Sequence, residues 1–126
     1  MVKISPEQIN PANVYELIAT NNAGSVVFHF AVVKPMAGVG GTTSHIEYAT
    51  NGDAEAELHS IAHDLAAEFI VEDILMIRRT GRLSLGEIIS LIAISSPNSE
   101  DAFEGCKRGI SRMKKMKSII KNEVCG

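Results

Sequence analysis

The sequence predicts an α+β fold: a mainly antiparallel sheet with two main helices packed on it. Three observations carry this. Val- and Ile-rich runs recur at 25–33, 71–79 and 88–94, and an alternating run at 45–50, each bounded by turn residues. Two longer stretches, after Asp53 and after Pro97, place apolar residues at helical spacing. Strands in short runs with two helices to cover them make an α+β layout. The 126 residues show no repeat or linker, so a single domain over 1–126 is expected, large enough to bury a core unaided.

Taken in order, Val2–Ser5 reads as an edge strand. Ser5, Pro6 and Gln8 have the form of a helix cap, and Asn10-Pro11 is a second start signal. Val14, Leu17 and Ile18 then give a short amphipathic helix that covers the sheet. Ser25–Val33 is a strand apolar on both faces, with His29 expected as a hydrogen-bonded core or interface residue. Pro35–Ser44 is glycine-rich but lacks the GKS/T ending of a phosphate-cradling loop, so it reads as a loop over a site. His45–Thr50 alternates, placing Ile46 and Tyr48 on one side.

Asp53 caps a helix reaching about Phe69, with Leu58, Ile61, Leu65 and Phe69 as its buried stripe. His59 and His63 stand four apart on it, a zinc-ligand spacing. Ser60 occupies the place where a metalloprotease needs glutamate, and no third ligand is apparent, so both are read as surface residues and no metal is expected. Val71–Arg79 is a strand ending in paired arginines. Thr80-Gly81 and Leu85-Gly86 frame a tight excursion into Ile88–Ile94, whose near-continuous apolar run is that of a strand covered on both faces. Ser96 can cap the next helix, with Pro97 at its first position. That helix is expected to run to about Glu123, with Phe103, Cys106, Ile110 and Met113 on one face. If it persists, Lys114 and Lys121 return to nearly the same side, about 10 Å apart. A pocket rim and a solvated face with buried stems both fit that placement.

Net charge is −3 but segregated. Residues 105–121 hold seven of the twelve bases and no acid, while residues 1–104 carry a balance of −9. Such a split marks a site for an anionic ligand or partner, or a basic helix on an acidic body. The N-terminus lacks the apolar core of a signal peptide and no run is long enough to span a membrane, so a cytoplasmic protein is expected. Cys106 and Cys125 form neither a CxxC pair nor a metal spacing. Cys106 is expected as a small core residue and Cys125 in a frayed tail.

The candidate constellation is Lys114, Lys121 and Lys34, with Arg78 and Arg79. Clustered cations hold phosphate or carboxylate, and a crowded ammonium gives up its proton more readily. That suits acyl or sulfur transfer, where charge develops on a departing group. No Ser-His-Asp set, paired carboxylates or activated cysteine motif is present, so a nucleophile would come from a partner.

GRLSLGE at 81–87, the apolar strand after it, Ser95-Ser96-Pro97, DAFEGCKRGISRMK at 101–114 and a lysine seven further on resemble the molybdopterin synthase catalytic (large) subunit family. GSVVFHFAVVK at 24–34 and IEYAT at 46–50 extend the resemblance over about the whole chain. It implies an α/β-hammerhead fold and sulfur transfer in molybdenum cofactor biosynthesis. The donor would be the C-terminal Gly-Gly thiocarboxylate of a small ubiquitin-like sulfur-carrier subunit. The acceptor would be cyclic pyranopterin monophosphate, which becomes the dithiolene of molybdopterin. It also implies a homodimer within a heterotetramer, with no bound cofactor, membrane or nucleic acid. Lys114 and Lys121 match the family's active-site lysines, Lys114 at the tail's terminal carbonyl and Lys121 in proton transfer or substrate binding. Lys34, Arg78, Arg79, Asn98 and Ser99 fall at substrate-binding positions.

Several of these depart from the family pattern. Asn98 and Ser99 replace a His-Arg pair that holds phosphate, Arg78 replaces a histidine and Lys34 an arginine. Ser118, Ile119 and Ile120 stand where proline and aromatics are usual. Two other functions therefore stand beside the enzyme: a module that binds the ubiquitin-like tail without catalysis, and a nucleic-acid binder using the basic helix. The second lacks a stacking platform, since no aromatic interleaves with the lysines from Lys107 on.

Overall fold

The computed structural model describes residues 1–35, 37–38 and 41–125. Its strands are β1 (Val2–Ser5), β2 (Ser25–Val32), β3 (Ala37–Gly38), β4 (Gly41–Thr50), β5 (Asp73–Arg79), β6 (Gly81–Ser84), β7 (Ile88–Ser96) and β8 (Ile119–Cys125). Its helices are α1 (Ala54–Glu68) and α2 (Ser99–Lys114), with a single 3-10 turn at Tyr15–Leu17. One sheet runs β1-β5-β7-β2, where β1 joins β5 in parallel and the other pairs are antiparallel. In the second, β4 is flanked by β6 and β8 and turns back on β3.

The apolar run in β7 demands cover on both faces and receives it. Ile92 and Ile94 pack with Ile74, Met76, Leu58, Leu65, Cys106 and Met113 beneath α1 and α2. Leu91 and Ala93 pack with Leu75 and Ile77 against Ile9, Val14 and Ile18 from the segment before β2. Each such side chain contributes about 1.5–3 kcal/mol by leaving water. Burial pushes the Cys106 thiol up to about 11. The helix cover comes close because α2 presents glycine to the sheet. A Cβ on Gly109 would stand 2.1 Å from Ile92 Cδ1 and 3.1 Å from Leu65 Cδ1; one on Gly105 would stand 2.9 Å from Ile94 Cδ1.

The fold class and the α1 cap are as expected: Asp53 accepts from the Ala56 amide at 2.9 Å. Several local expectations are corrected. Ser5 caps no helix; its hydroxyl accepts from Glu7 N, and Gln8 instead donates to Glu87 at 2.6 Å. Asn10 makes a side-chain turn with the Ala12 amide, and the short helix reduces to the 3-10 turn. The glycine-rich stretch is no simple loop, since Ala37–Gly38 and Gly41–Thr50 pair as a hairpin; Met36, Val39 and Gly40 lie outside the described residues. The cap of α2 is Asn98, accepting from Asp101 N at 2.8 Å, because Ser96 still belongs to β7, its hydroxyl donating to the Ile70 carbonyl and accepting from Asn98 N. Phe103 is 63% exposed, and Ala102, Gly105 and Gly109 take the buried face with Cys106 and Met113.

The largest correction is at the end of α2. The helix stops at Lys114, and Ile119–Cys125 is a strand against β4, so Lys121 is not helical and the tail is not frayed. The Cys125 side chain lies outside the described residues. The physical cause is Glu57 on α1. Its carboxylate accepts the amides of Lys117 and Ser118, both at 2.9 Å, and the Ser118 hydroxyl. Those amides are thereby taken from a continuing helix, and the β-branched Ile119-Ile120 pair suits the strand that follows. Burial works against the Glu57 charge, but these hydrogen bonds outweigh it and hold its pKa below the ordinary 4.5. A second tie between the helices is bidentate, Arg112 to Glu68 at 2.6 and 2.8 Å.

Two outcomes are expected. Gly109→Val overfills the α2–β7 contact and should lower stability by about 2–3 kcal/mol in urea melts, because two buried side chains must move. Glu57 titrates lower in the folded state, so its contribution is present above pH 4.5 and lost as pH falls through the depressed value. Glu57→Gln should therefore cost about 1–2 kcal/mol at neutral pH and flatten the acid limb of the stability profile. Equal acid limbs in the two proteins would exclude that role.

Candidate functional site

Where α2 ends, the first sheet is left uncovered, and a cleft of about 510 Å³ opens between the two sheets. Antiparallel register places its floor. Ser90 of β7 lies opposite both Ala31 of β2 and Arg78 of β5, and Ile92 lies opposite His29. Directly paired residues project from the same face, so Arg78, Ser90, Ala31 and His29 share one surface of the sheet and all line the cleft. The second sheet supplies the facing wall: Tyr48 pairs with Lys121, and Ile46 with Glu123. Ile110, Met113 and Lys114 close the side from the last turn of α2, and Lys34 follows β2 at the rim.

Four cations thus surround one cleft: Lys34, Arg78, Lys114 and Lys121. The three lysines are exposed, while Arg78 is largely buried. Its guanidinium carbon lies 4.6 Å from the centroid of the Tyr48 ring, a cation–π contact. Burial pushes the Arg78 pKa down, and the Tyr48 hydroxyl opposes that; the group remains a cation at neutral pH. Its Nε is buried without a hydrogen-bond partner among the described residues. Among the described residues Glu123 is the one carboxylate lining the cleft, 3.7 Å from the Lys121 ammonium. The arrangement is suited to an oxyanion on an apolar floor.

Lys114 and Lys121 therefore meet, but from a helix end and a strand, not from one helix face. Lys34 and Arg78 join them. Arg79 does not. It alternates to the opposite face of β5, buried, donating to the Pro6 carbonyl at 3.1 Å with Glu87 at 3.8 Å. Asn98 and Ser99 sit at the opposite end of α2 from Lys114, about 22 Å away along its axis. They cannot share this cleft within one chain. His59 and His63 are exposed on α1. Among the described residues no three His, Cys, Asp or Glu side chains are grouped to hold a metal ion. The basic run of 105–121 is divided, with Arg108 and Arg112 turned to Glu68 and Lys114 and Lys121 to the cleft. No described helix is long and apolar enough to cross a membrane.

Sequence reasoning missed Tyr48, Ser90 and Glu123 as lining residues. For Tyr48 a signal existed, since a buried aromatic in an alternating strand is a platform for a cation. For Ser90 it lay in a polar residue interrupting an apolar run. Glu123 had none, because its placement depends on the helix ending early.

A family model described as the MoaE protein matches residues 4–116. The molybdopterin synthase catalytic subunit of Pyrococcus abyssi is 26% identical over 120 residues, covering 94% of this chain and 80% of that one. The crystal structure of molybdopterin synthase from Staphylococcus aureus matches with a TM-score of 0.89 at 27% identity, over 98% of this chain and 90% of the other. A complex of subunits 1 and 2 of the molybdopterin-converting factor from Helicobacter pylori is similar in fold, with a TM-score of 0.74 at 16% identity, over 98% of this chain and 84% of that one. The family match takes in the whole of α2, including Lys114, and all but the last strand of the cleft. The chain belongs to the MoaE protein family.

Proposed function

We propose that this chain is the catalytic subunit of a molybdopterin synthase, acting as a sulfurtransferase in molybdenum cofactor biosynthesis. The observation that carries this is the convergence of Lys114 and Lys121 from separate elements on one cleft. The names of its relatives support the same reading. The two-subunit Helicobacter pylori complex supports a small partner subunit. The partner would be a ubiquitin-like sulfur carrier whose C-terminal Gly-Gly thiocarboxylate enters the cleft. Its sulfur bonds to an electrophilic side-chain carbon of cyclic pyranopterin monophosphate as a carbon–oxygen bond there breaks, the oxygen leaving as water or as the freed oxygen of the ring-opened phosphate. Water then breaks the acyl C–S bond, leaving the carrier as a carboxylate and the sulfur on the pterin. Two carriers in turn supply the two sulfurs of the dithiolene.

The residues have distinct parts in this reading. Lys114, at the exposed end of α2, stabilises negative charge on the tail's terminal carbonyl oxygen as water adds. Lys121, on β8 beside Glu123, moves protons to and from the departing sulfur. Lys34 and Arg78 supply positive charge for the anionic substrate. Arg79 and Asn98 act in the fold, as an internal tie and a helix cap. A tail-binding module without catalysis would use the same cleft and differ only in turnover.

Reconstitution with a thiocarboxylated carrier and the pterin, followed by dithiolene formation, separates the two. Lys114→Ala should reduce the rate at least a hundredfold, about 2.7 kcal/mol of lost transition-state stabilisation. Lys121→Ala should reduce it by about tenfold to a hundredfold. Turnover of Lys114→Ala at the wild-type rate would remove the lysine mechanism. A wild-type protein that binds the carrier and turns nothing over would favour the binding module.

A further inference from the structure

We infer that Arg78, clamped on Tyr48 at the cleft floor, is the subsite for the phosphoryl group of the substrate, distinct from the lysine rim that receives the carrier's tail. This deepens the reading proposed above and rests on it for the identity of the ligand. The inference starts from what Arg78 lacks. A largely buried guanidinium is costly unless its donors are matched. Among the described residues the Nε has no partner and no carboxylate lies within ion-pair distance of Arg78. Arg79, its neighbour on the other face of β5, also leaves Nε and one terminal nitrogen without a hydrogen-bond partner among the described residues, but it faces Pro6 and Glu87 inside the fold, whereas Arg78 faces the cleft.

What Arg78 does have is orientation. Its guanidinium lies over the Tyr48 ring, 4.6 Å from the centroid, and Tyr48 is itself buried in β4 between two strands. Ser90 stands directly across the ladder from Arg78 and brings a hydroxyl to the same surface. Lys121 stands across the other ladder from Tyr48 and brings a second charge. A fixed planar fork with a hydroxyl beside it matches two non-bridging oxygens of one phosphoryl group. Lys114 and Lys121 are exposed at the rim, which suits a tail that must arrive and leave. Asn98 and Ser99 lie too far along α2 to reach this floor in the same chain.

A carboxylate would meet the same fork, so the experiment must separate the substrate's phosphoryl group from the tail's terminus. Arg78→Met keeps the buried stem and removes the charge, a change that buried ion sites commonly tolerate. Arg78→Lys keeps the charge and removes the fork. Affinities for cyclic pyranopterin monophosphate, for inorganic phosphate and for the carrier protein are measured separately by calorimetry, with thermal melting to follow folding. Expected is at least a tenfold weaker pterin affinity in Arg78→Met, a smaller loss in Arg78→Lys, and carrier affinity within twofold of wild type in both. Inorganic phosphate should compete with the pterin in wild type and lose that competition in Arg78→Met. Unchanged pterin affinity in both variants overturns the assignment, and so does a loss confined to carrier binding. Sulfur transfer by Arg78→Met should recover at saturating pterin, whereas Lys114→Ala should not. If wild type forms no dithiolene yet binds inorganic phosphate through Arg78, the subsite stands and the proposed reaction falls.

Discussion

Burial of β7 on both faces is the constraint from which the rest of this molecule follows. A strand with no solvated side needs two separate covers. The helix pair supplies one, with α2 drawn close by Gly105 and Gly109; the 3-10 turn and its flanks supply the other. The cleft is what remains where the first cover runs out. Ile92 and His29 lie near Met113 and Ile110 at the last turn of α2, and the row of Ser90, Ala31 and Arg78 lies one step beyond. The site is thus a consequence of helix length, and helix length is set by a carboxylate on a different helix.

That dependence explains what the sequence revealed and what it hid. The β-branched runs, the Asp53 cap and the two-faced burial of 88–94 were legible because they rest on local periodicity and turn chemistry. The end of α2 was not. KMKSII continues an acceptable helical composition, and only the contact of Glu57 with Lys117 and Ser118, sixty residues away in the chain, turns it into a strand. The pairing of Lys114 with Lys121 was reached on a mistaken geometry: seven residues make two turns of helix, yet a strand folded back on β4 returns Lys121 to the same cleft. Asn98 and Ser99 follow the same lesson. Being adjacent to a motif in sequence did not bring them near the lysines, because a straight helix separates its own ends.

The two arginines at the end of β5 show how alternation divides chemistry between the faces of a sheet. Arg78 and Arg79 are neighbours in sequence with opposite surroundings. Arg79 is drawn into the fold by Pro6 and Glu87, tying the segment before β2 to the turn between β6 and β7. Arg78 is held by the ring and hydroxyl of Tyr48 and faces the cleft, its Nε without a partner among the described residues. A protein retains such an incompletely matched cation at a cost in stability, and a ligand that binds there recovers part of it.

Cys106 has a place in this picture that packing alone does not convey. Held under α2 with its pKa at about 11, it is a neutral thiol at neutral pH, shut away from the cleft. Thiolates, not thiols, exchange with activated sulfur. On the reading proposed for the cleft, a labile sulfur atom crosses it without meeting this side chain as a rival acceptor, so the fold itself provides chemoselectivity.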